Sequence, residues 1–164
     1  MSNEKKPSLN VVYKELANVG IKGRWKMELT GPGGEQLQTV FGENVVVVNG
    51  VSKLAEFLNS ANAAASTFTF GYIGIGSDPT AEASTDTALG TQLARHTGIV
   101  SYVSAAIYQV VATFIAELGT GAVVEYGLFN SSANGTLFSR DTESVINKGA
   151  GDTLTVTAQY TFSG

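Results

Sequence analysis

The sequence predicts a mainly β protein: an antiparallel, jelly-roll-like β-sandwich with one short α-helix and an extended N-terminal arm. Two observations favour this fold class. About eight or nine short segments with strand periodicity are separated by turn residues, and a single segment has the periodicity of an amphipathic helix. The shortage of helices excludes a parallel α/β fold, because parallel strands need helical crossovers.

Residues 1–20 are interpreted as the arm and residues 21–164 as the sandwich domain. The chain begins with polar residues, and a short apolar cluster follows without a clear period or turn signal. An edge strand or a frayed terminus explains this pattern as well as an arm that reaches a neighbouring subunit. The candidate partner-binding residues are Leu9, Val11, Val12, Tyr13 and Leu16.

The first two strands are predicted as a hairpin. From Lys22, charged residues alternate with Trp25, Met27 and Leu29, which places these apolar residues on one face, and we expect Trp25 in a core or an interface. Residues 31–34 tolerate positive φ and reverse the chain. Residues 35–41 then return as the second strand.

Four successive valines within residues 44–48 predict a strand that is either buried on both sides or lies across an edge of the sandwich. Residues 52–63 are predicted to form the helix and to cover one open end or face of a sheet. The apolar residues at i, i+3, i+4 and i+7 spacing are Val51, Leu54, Ala55 and Leu58.

Residues 67–75 are predicted to form a strand in which glycines interrupt a series of aromatic residues. Glycine within a strand indicates a bulge or the close approach of another backbone. The aromatic residues expected on one buried face of this strand are Phe68, Phe70 and Tyr72. Residues 76–97 predict a long polar loop, with a short helical turn at residues 86–89.

The C-terminal half predicts five further strands. Their approximate ranges are 99–103, 106–118, 122–129, 136–145 and 153–162. The last is the clearest, because apolar residues alternate with Thr and Gln over its whole length. Asn134 and Gly135 predict a type I′ turn.

Composition favours a protein that binds other proteins. Charged residues make up 15% of the chain, against about 25% in typical globular domains, and neutral surfaces are easily desolvated against a partner. A small threonine-rich β domain also explains this composition. The net charge of −4 argues against nucleic-acid binding, and we expect no membrane span, disulfide or thiolate metal site.

No catalytic constellation is recognised, so we expect that the protein is not an enzyme and has no cofactor. His96 is the only histidine, so a triad with Ser101 or Ser104 is the one His-based alternative, and we do not favour it. The glycine-rich residues 71–77 lack the order and the lysine of a phosphate-binding loop.

The carboxylates are interpreted as solvated, without a metal site. Glu117 and Glu125 are expected beside a turn. Asp141 and Glu143, on one strand face, suit a polar edge just as well as a glycosidase pair. Cation binding by the long loop is the alternative for Asp78, Glu82 and Asp86, whose spacing does not match a calcium loop.

Residues 40–163 resemble a β-rich domain of tailed-bacteriophage virion proteins. In that family a small-residue turn precedes a Thr-Ala-Leu…Arg loop, and a Glu-x-Gly-Leu-Phe strand follows later. The matching strings are Ile73-Gly-Ile-Gly-Ser, Asp86-Thr-Ala-Leu-Gly-Thr-Gln-Leu-Ala-Arg95, Ala112-Thr-Phe-Ile-Ala-Glu, Glu125-Tyr-Gly-Leu-Phe-Asn and Gly135-Thr-Leu-Phe-Ser-Arg140.

The resemblance is nearest to capsid decoration, or cement, proteins. It implies a structural protein made in the bacterial host cytoplasm that binds the major capsid protein on the outside of the virion. It also implies a homotrimer whose arms clasp neighbours. The alternatives are a tail, baseplate or fibre-attachment protein of the same virion, and a carbohydrate-binding sandwich module.

Overall fold

The computed structural model describes residues 20–59, 69–104 and 106–163. Within these residues, ten strands form two five-stranded antiparallel sheets that pack face to face, with one helix beside them. The expected mainly β sandwich is therefore confirmed. The elements are β1 (Gly20–Thr30), β2 (Gln36–Glu43), β3 (Val45–Val46), α1 (Val48–Asn59), β4 (Tyr72–Gly76), β5 (Gln92–Thr97), β6 (Ile99–Ser104), β7 (Ile107–Phe114), β8 (Gly121–Phe129), β9 (Leu137–Lys148) and β10 (Thr153–Ser163).

The first sheet has the strand order β2-β1-β10-β7-β6, and the second has the order β3-β9-β8-β4-β5. The first and last strands pair along their whole length, from Gly20 opposite Ser163 to Thr30 opposite Thr153. The chain therefore begins β1 and finishes β10 at the same end of the sandwich.

Alternation along the strands decides which side chains fill the space between the sheets. Trp25, Met27 and Leu29 are buried as predicted. On β10 the predicted inward set is also buried up to Tyr160, whereas Phe162 is 37% exposed. Each large apolar side chain buried in this way stabilises the fold by about 1.5–3 kcal/mol relative to leaving it in water.

The valine run and the helix differ from the prediction. Val45 and Val46 alone form a strand, and α1 begins at Val48 rather than at residue 52. Val47 is fully buried and donates its N–H to the carbonyl oxygen of Phe138 at 3.0 Å. This anchor places the next residues over β9, where a strand could not continue, so tertiary packing overrides the β propensity of valine.

The middle of the chain contains two further corrections. Residues 92–97 form β5 within the predicted loop, because they pair with β4, and residues 86–89 are not helical. β4 begins at Tyr72 rather than at residue 67, and Phe70 and Tyr72 pack in different apolar clusters instead of sharing a face. Phe68 lies outside the described residues.

The turn before β9 confirms the sequence prediction. Asn134 and Gly135 both have positive φ, 54° and 75°. Thr136 donates its N–H to Asn130 Oδ1 at 2.7 Å, which closes the loop between β8 and β9.

Gly50 is the point of closest approach between α1 and β9. A Cβ at this position would lie 2.5 Å from the carbonyl oxygen and 2.7 Å from the Cα of Phe138, and backbone atoms there cannot move aside cheaply. We therefore expect Gly50→Ala to lower the free energy of unfolding by about 1–3 kcal/mol. Urea denaturation measures this change in the free energy of unfolding, and Ser52→Ala on the exposed side of α1 is the control. Equal stability of the two variants would contradict this packing.

Candidate interaction surface

A buried ion pair joins the two longest strands of the second sheet. Glu125 of β8 is fully buried, and Arg140 of β9 donates from Nε and Nη2 to Glu125 Oε2 at 3.1 and 3.0 Å. The predicted position of Glu125 beside a turn is therefore wrong, because it faces the loop that covers this sheet. Glu117 does lie in the turn between β7 and β8, with φ 68°.

The same pair fixes the long loop between β4 and β5. Glu125 accepts N–H groups from Asp78, Gly90 and Thr91, at 3.2, 2.9 and 2.8 Å. Arg140 Nη1 also lies 3.2 Å from Asp86 Oδ2. Asp86 is therefore part of a structural ion pair rather than a solvated carboxylate, and the loop is bound at both of its ends.

Arg95 and two glycines complete this network. The Arg95 guanidinium lies 3.4 Å from the centroid of the Phe129 ring and donates to the carbonyl oxygen of Asn134 at 2.7 Å. A Cβ at Gly74 or Gly127 would lie 2.9 Å from the nearest Leu89 or Phe129 atom, so glycine lets these side chains pack over the sheet. Four of the five strings that resemble virion proteins therefore contribute to a network that holds loops; the string Ala112–Glu117 does not. Residues 71–77 contain strand β4 rather than a phosphate-binding loop.

His96 and the remaining carboxylates do not assemble a recognisable catalytic group. His96 is exposed on β5 with its ring centroid 6.2 Å from that of Phe114, while Ser101 Oγ accepts a hydrogen bond from Gln109 Nε2 at 3.4 Å. In the described part of the chain, no three His, Cys, Asp or Glu side chains are close enough to hold a metal ion.

Asp141 is buried between the sheets, which corrects its prediction as an edge residue. It is 1% exposed, and β2 covers it: Gln38 Nε2 donates to the carbonyl oxygen of Val145, and a Cβ at Gly42 would overlap Asp141 Oδ2. Among the described residues, neither Asp141 oxygen has a hydrogen-bond partner. Burial, and secondly the carboxylates of Glu143 and Glu82, raise the pKa of Asp141 to about 7.

One end of the sandwich carries an apolar groove of about 400 Å³ beside α1. We call it the end groove. Among the described residues, its floor and walls come from α1, β6, β7, β9, β10 and the segment before β4. These residues are Leu54, Phe57, Val100, Tyr108, Phe138, Phe162, Phe70, Thr69 and Lys53.

The helix does not close the end groove. Of the predicted apolar face, Leu54 is half-buried and lines the groove, whereas Val51 and Ala55 are exposed. The side chain of Leu58 is outside the described residues. Phe57 and Phe162 remain 41% and 37% exposed. Within the described residues the expected cover is therefore partial, and apolar side chains of the groove stay partly exposed beside the helix.

Strand β6 extends this surface along the edge of the first sheet. Among the described strands it pairs with β7 alone, with a register irregularity between Tyr102 and Ser104, and it contains neither a charged residue nor a proline. Ile99 and Tyr102 are 77% and 74% exposed, and Val100 and Val103 are also exposed. An uncharged edge strand presents backbone groups beside apolar side chains, which is a template for pairing with another chain.

The other three sheet edges have the protection that β6 lacks. β2 carries Glu43 and bonds to β9 through Gln38, and β3 is two residues long. β5 carries Arg95 and His96. Short strands and charged side chains are ordinary means of preventing edge pairing. Sequence periodicity did not single out β6, since exposure of both its faces follows only from its place in the sheet.

The predicted partner-binding residues Leu9, Val11, Val12, Tyr13 and Leu16 lie outside the described residues. The structure does place the start of β1 beside the end groove, because Ile21 pairs with Phe162, a groove residue.

No helix within the described ranges is long and apolar enough to span a membrane.

No protein-family model, curated protein or solved structure matches the chain.

We expect Glu125→Gln to lower the free energy of unfolding by about 3–5 kcal/mol, because it removes the buried countercharge of Arg140 and leaves only the partly exposed Asp86. Urea denaturation measures the loss, and hydrogen exchange should show faster exchange of the Gly90 and Thr91 amides. Glu28→Gln is the matched control, because the Lys26–Glu28 pair is exposed and such pairs contribute less than about 1 kcal/mol. Equal effects of the two substitutions would refute the structural role of Glu125.

Asp141 should make the fold less stable as the pH rises. Its ordinary pKa of 3.8 rises to about 7 in the folded chain, so between these values the unfolded chain ionises while the folded chain keeps its proton. The stability contributed by protonated Asp141 is complete below about pH 4 and lost by about pH 8, a fall on the order of 4 kcal/mol. Asp141→Asn should remove this fall from stability curves measured across that range. The exposed substitution Glu35→Gln should retain it, and parallel curves for Asp141→Asn and the original chain would contradict the burial argument.

Proposed function

We propose that this protein is a structural virion protein, a decoration protein that binds the outside of a phage capsid and stabilises the shell by packing against other subunits. The observation that supports subunit packing is the exposed apolar surface of the edge strand β6, where Ile99 and Tyr102 are 77% and 74% exposed. A protein that works alone in water rarely exposes a continuous apolar patch of this kind, and such patches mark interaction sites.

Charge supports a protein partner rather than a nucleic acid. The chain has a net charge of −4, and β6 has no charged side chain. A phosphate backbone is bound by clustered lysine and arginine, whereas a neutral apolar edge is bound by another neutral strand or an apolar surface. The partners we propose are the major capsid protein and other copies of this chain, in a homotrimer.

The location on a capsid rests on the resemblance to virion proteins. The strings that carry this resemblance include Glu125, Arg140, Asp86 and Arg95, which form the network that holds the long loop. In this proposal they build a rigid body, and the open surface makes the contacts. Repetition of a modest interface over a shell adds stability without any single strong contact.

The carbohydrate-binding alternative is less well supported. Sugar-binding sandwiches use exposed aromatic side chains, and Trp25, the only tryptophan, is 1% exposed in the core. No second candidate function is favoured by a specific observation.

Tyr102→Asp tests the proposed surface. A charge on β6 should dissociate the trimer and reduce binding to capsids by at least tenfold, because the carboxylate would be desolvated at the contact. Sedimentation measures the oligomeric state and co-sedimentation with purified capsids measures binding. Ile115→Asp is the control, since Ile115 is 62% exposed but follows β7 at the opposite end of the sandwich. A chain that is monomeric at high concentration and binds no capsid would contradict the proposal.

A further inference from the structure

We propose that a cleft beside β2 is a binding site for a guanidinium group, the side chain of an arginine on a partner protein. This inference goes beyond the proposed function, because it concerns a surface other than β6 and a ligand that the isolated chain can bind without a capsid. We call the site the β2 cleft. Its volume is about 520 Å³, and its described lining residues are Arg24, Trp25, Phe41, Gly42, Glu43 and Glu143.

Two carboxylates border the β2 cleft at Gly42. A Cβ at Gly42 would overlap Asp141 Oδ2 and would lie 2.9 Å from Glu143 Oε1, so both oxygens adjoin the position that glycine leaves free. Asp141 is 1% exposed, and neither of its oxygens has a hydrogen-bond partner among the described residues. Neither Asp141 nor Glu143 takes part in a salt bridge in that part of the chain. A buried carboxylate without a partner is costly, and a bound cation offsets that cost.

The charges around this carboxylate pair favour a cation. Burial, and secondly the carboxylates of Glu143 and Glu82, raise the pKa of Asp141, so the neighbouring side chains that act on it are also acidic. Arg24 is the one cation among the described lining residues, and it lies opposite Glu43 on the neighbouring strand. Asp141 and Glu143 therefore produce a negative potential that a positively charged ligand can neutralise.

The groups at the β2 cleft suit a planar cation with several donors. The oxygens of Asp141 and Glu143 are acceptors, and a guanidinium carries five N–H donors in a flat fork that matches carboxylates. Phe41 also lines the cleft and is 69% exposed, and guanidinium groups stack on such rings. Within the described ranges no three acidic or histidine side chains are close enough to hold a metal ion, so an organic cation fits better.

The arginine is expected from a protein of different sequence rather than from a second copy. The arginines of this chain are Arg24, Arg95 and Arg140. Arg95 and Arg140 are held by the network that fixes the long loop, and Arg24 is itself a wall of the β2 cleft. A partner with an exposed arginine has no such contacts to break.

Titration of the full chain with Nα-acetylarginine amide tests the β2 cleft. Trp25 is the only tryptophan and lines the cleft, so its single indole N–H signal in an NMR spectrum reports on the site. We expect a saturable shift of this signal with a Kd on the order of millimolar, as for a small ligand with few contacts. Nα-acetylcitrulline amide, the neutral analogue of the same shape, should cause no shift. Absence of a saturable shift with the arginine compound would overturn the proposal.

Two variants of equal net charge separate the site from general attraction. Glu143→Gln should weaken binding about tenfold, because it removes a charge-assisted hydrogen bond at the cleft. Glu35→Gln removes the same charge from the exposed turn between β1 and β2 and should leave the affinity unchanged. Equal weakening by the two substitutions would overturn the proposal, and so would a larger shift of the Trp25 signal with calcium chloride or with Nα-acetyllysine amide.

Discussion

The negative charge of Glu125 is fully buried, and it is stable there because Arg140 and three backbone N–H groups neutralise it. Arg140 lies on β9, and the three N–H groups come from the two ends of the long loop between β4 and β5. One carboxylate thus holds two strands and a loop in a single arrangement. A buried pair of this kind contributes to a unique geometry more than to net stability, because desolvation offsets much of the attraction.

The loop network has a consequence for the rest of the sandwich. It covers the outer part of the second sheet with Leu89 and Phe129, and it gives β5 a charged, bonded edge through Arg95. The first sheet has no such cover at β6. The molecule is therefore asymmetric, with one sheet fixed by polar contacts and the other left with an open apolar edge beside the end groove.

Several features were predictable because they depend on neighbours in sequence. The alternation in β1 and β10 identified the buried side chains of these two strands, such as Trp25 and Tyr160. The conformational preferences of Asn134 and Gly135 identified a turn. Glu125, Asp86 and Asp141 were misjudged for the opposite reason. Their partners lie far away in sequence, at Arg140, on the covering loop or under β2, and local polarity does not reveal such partners.

The sequence by itself determined the class of fold, a sandwich of alternating strands with one helix, because periodicity reports which face of an element meets water. It also determined that the chain has a low fraction of charged residues. Tertiary structure alone decided that Val48 begins a helix, that residues 92–97 form a strand and that β6 becomes an unprotected edge. Each of these depends on which strand lies alongside, and that choice is set by contacts between residues distant in the chain.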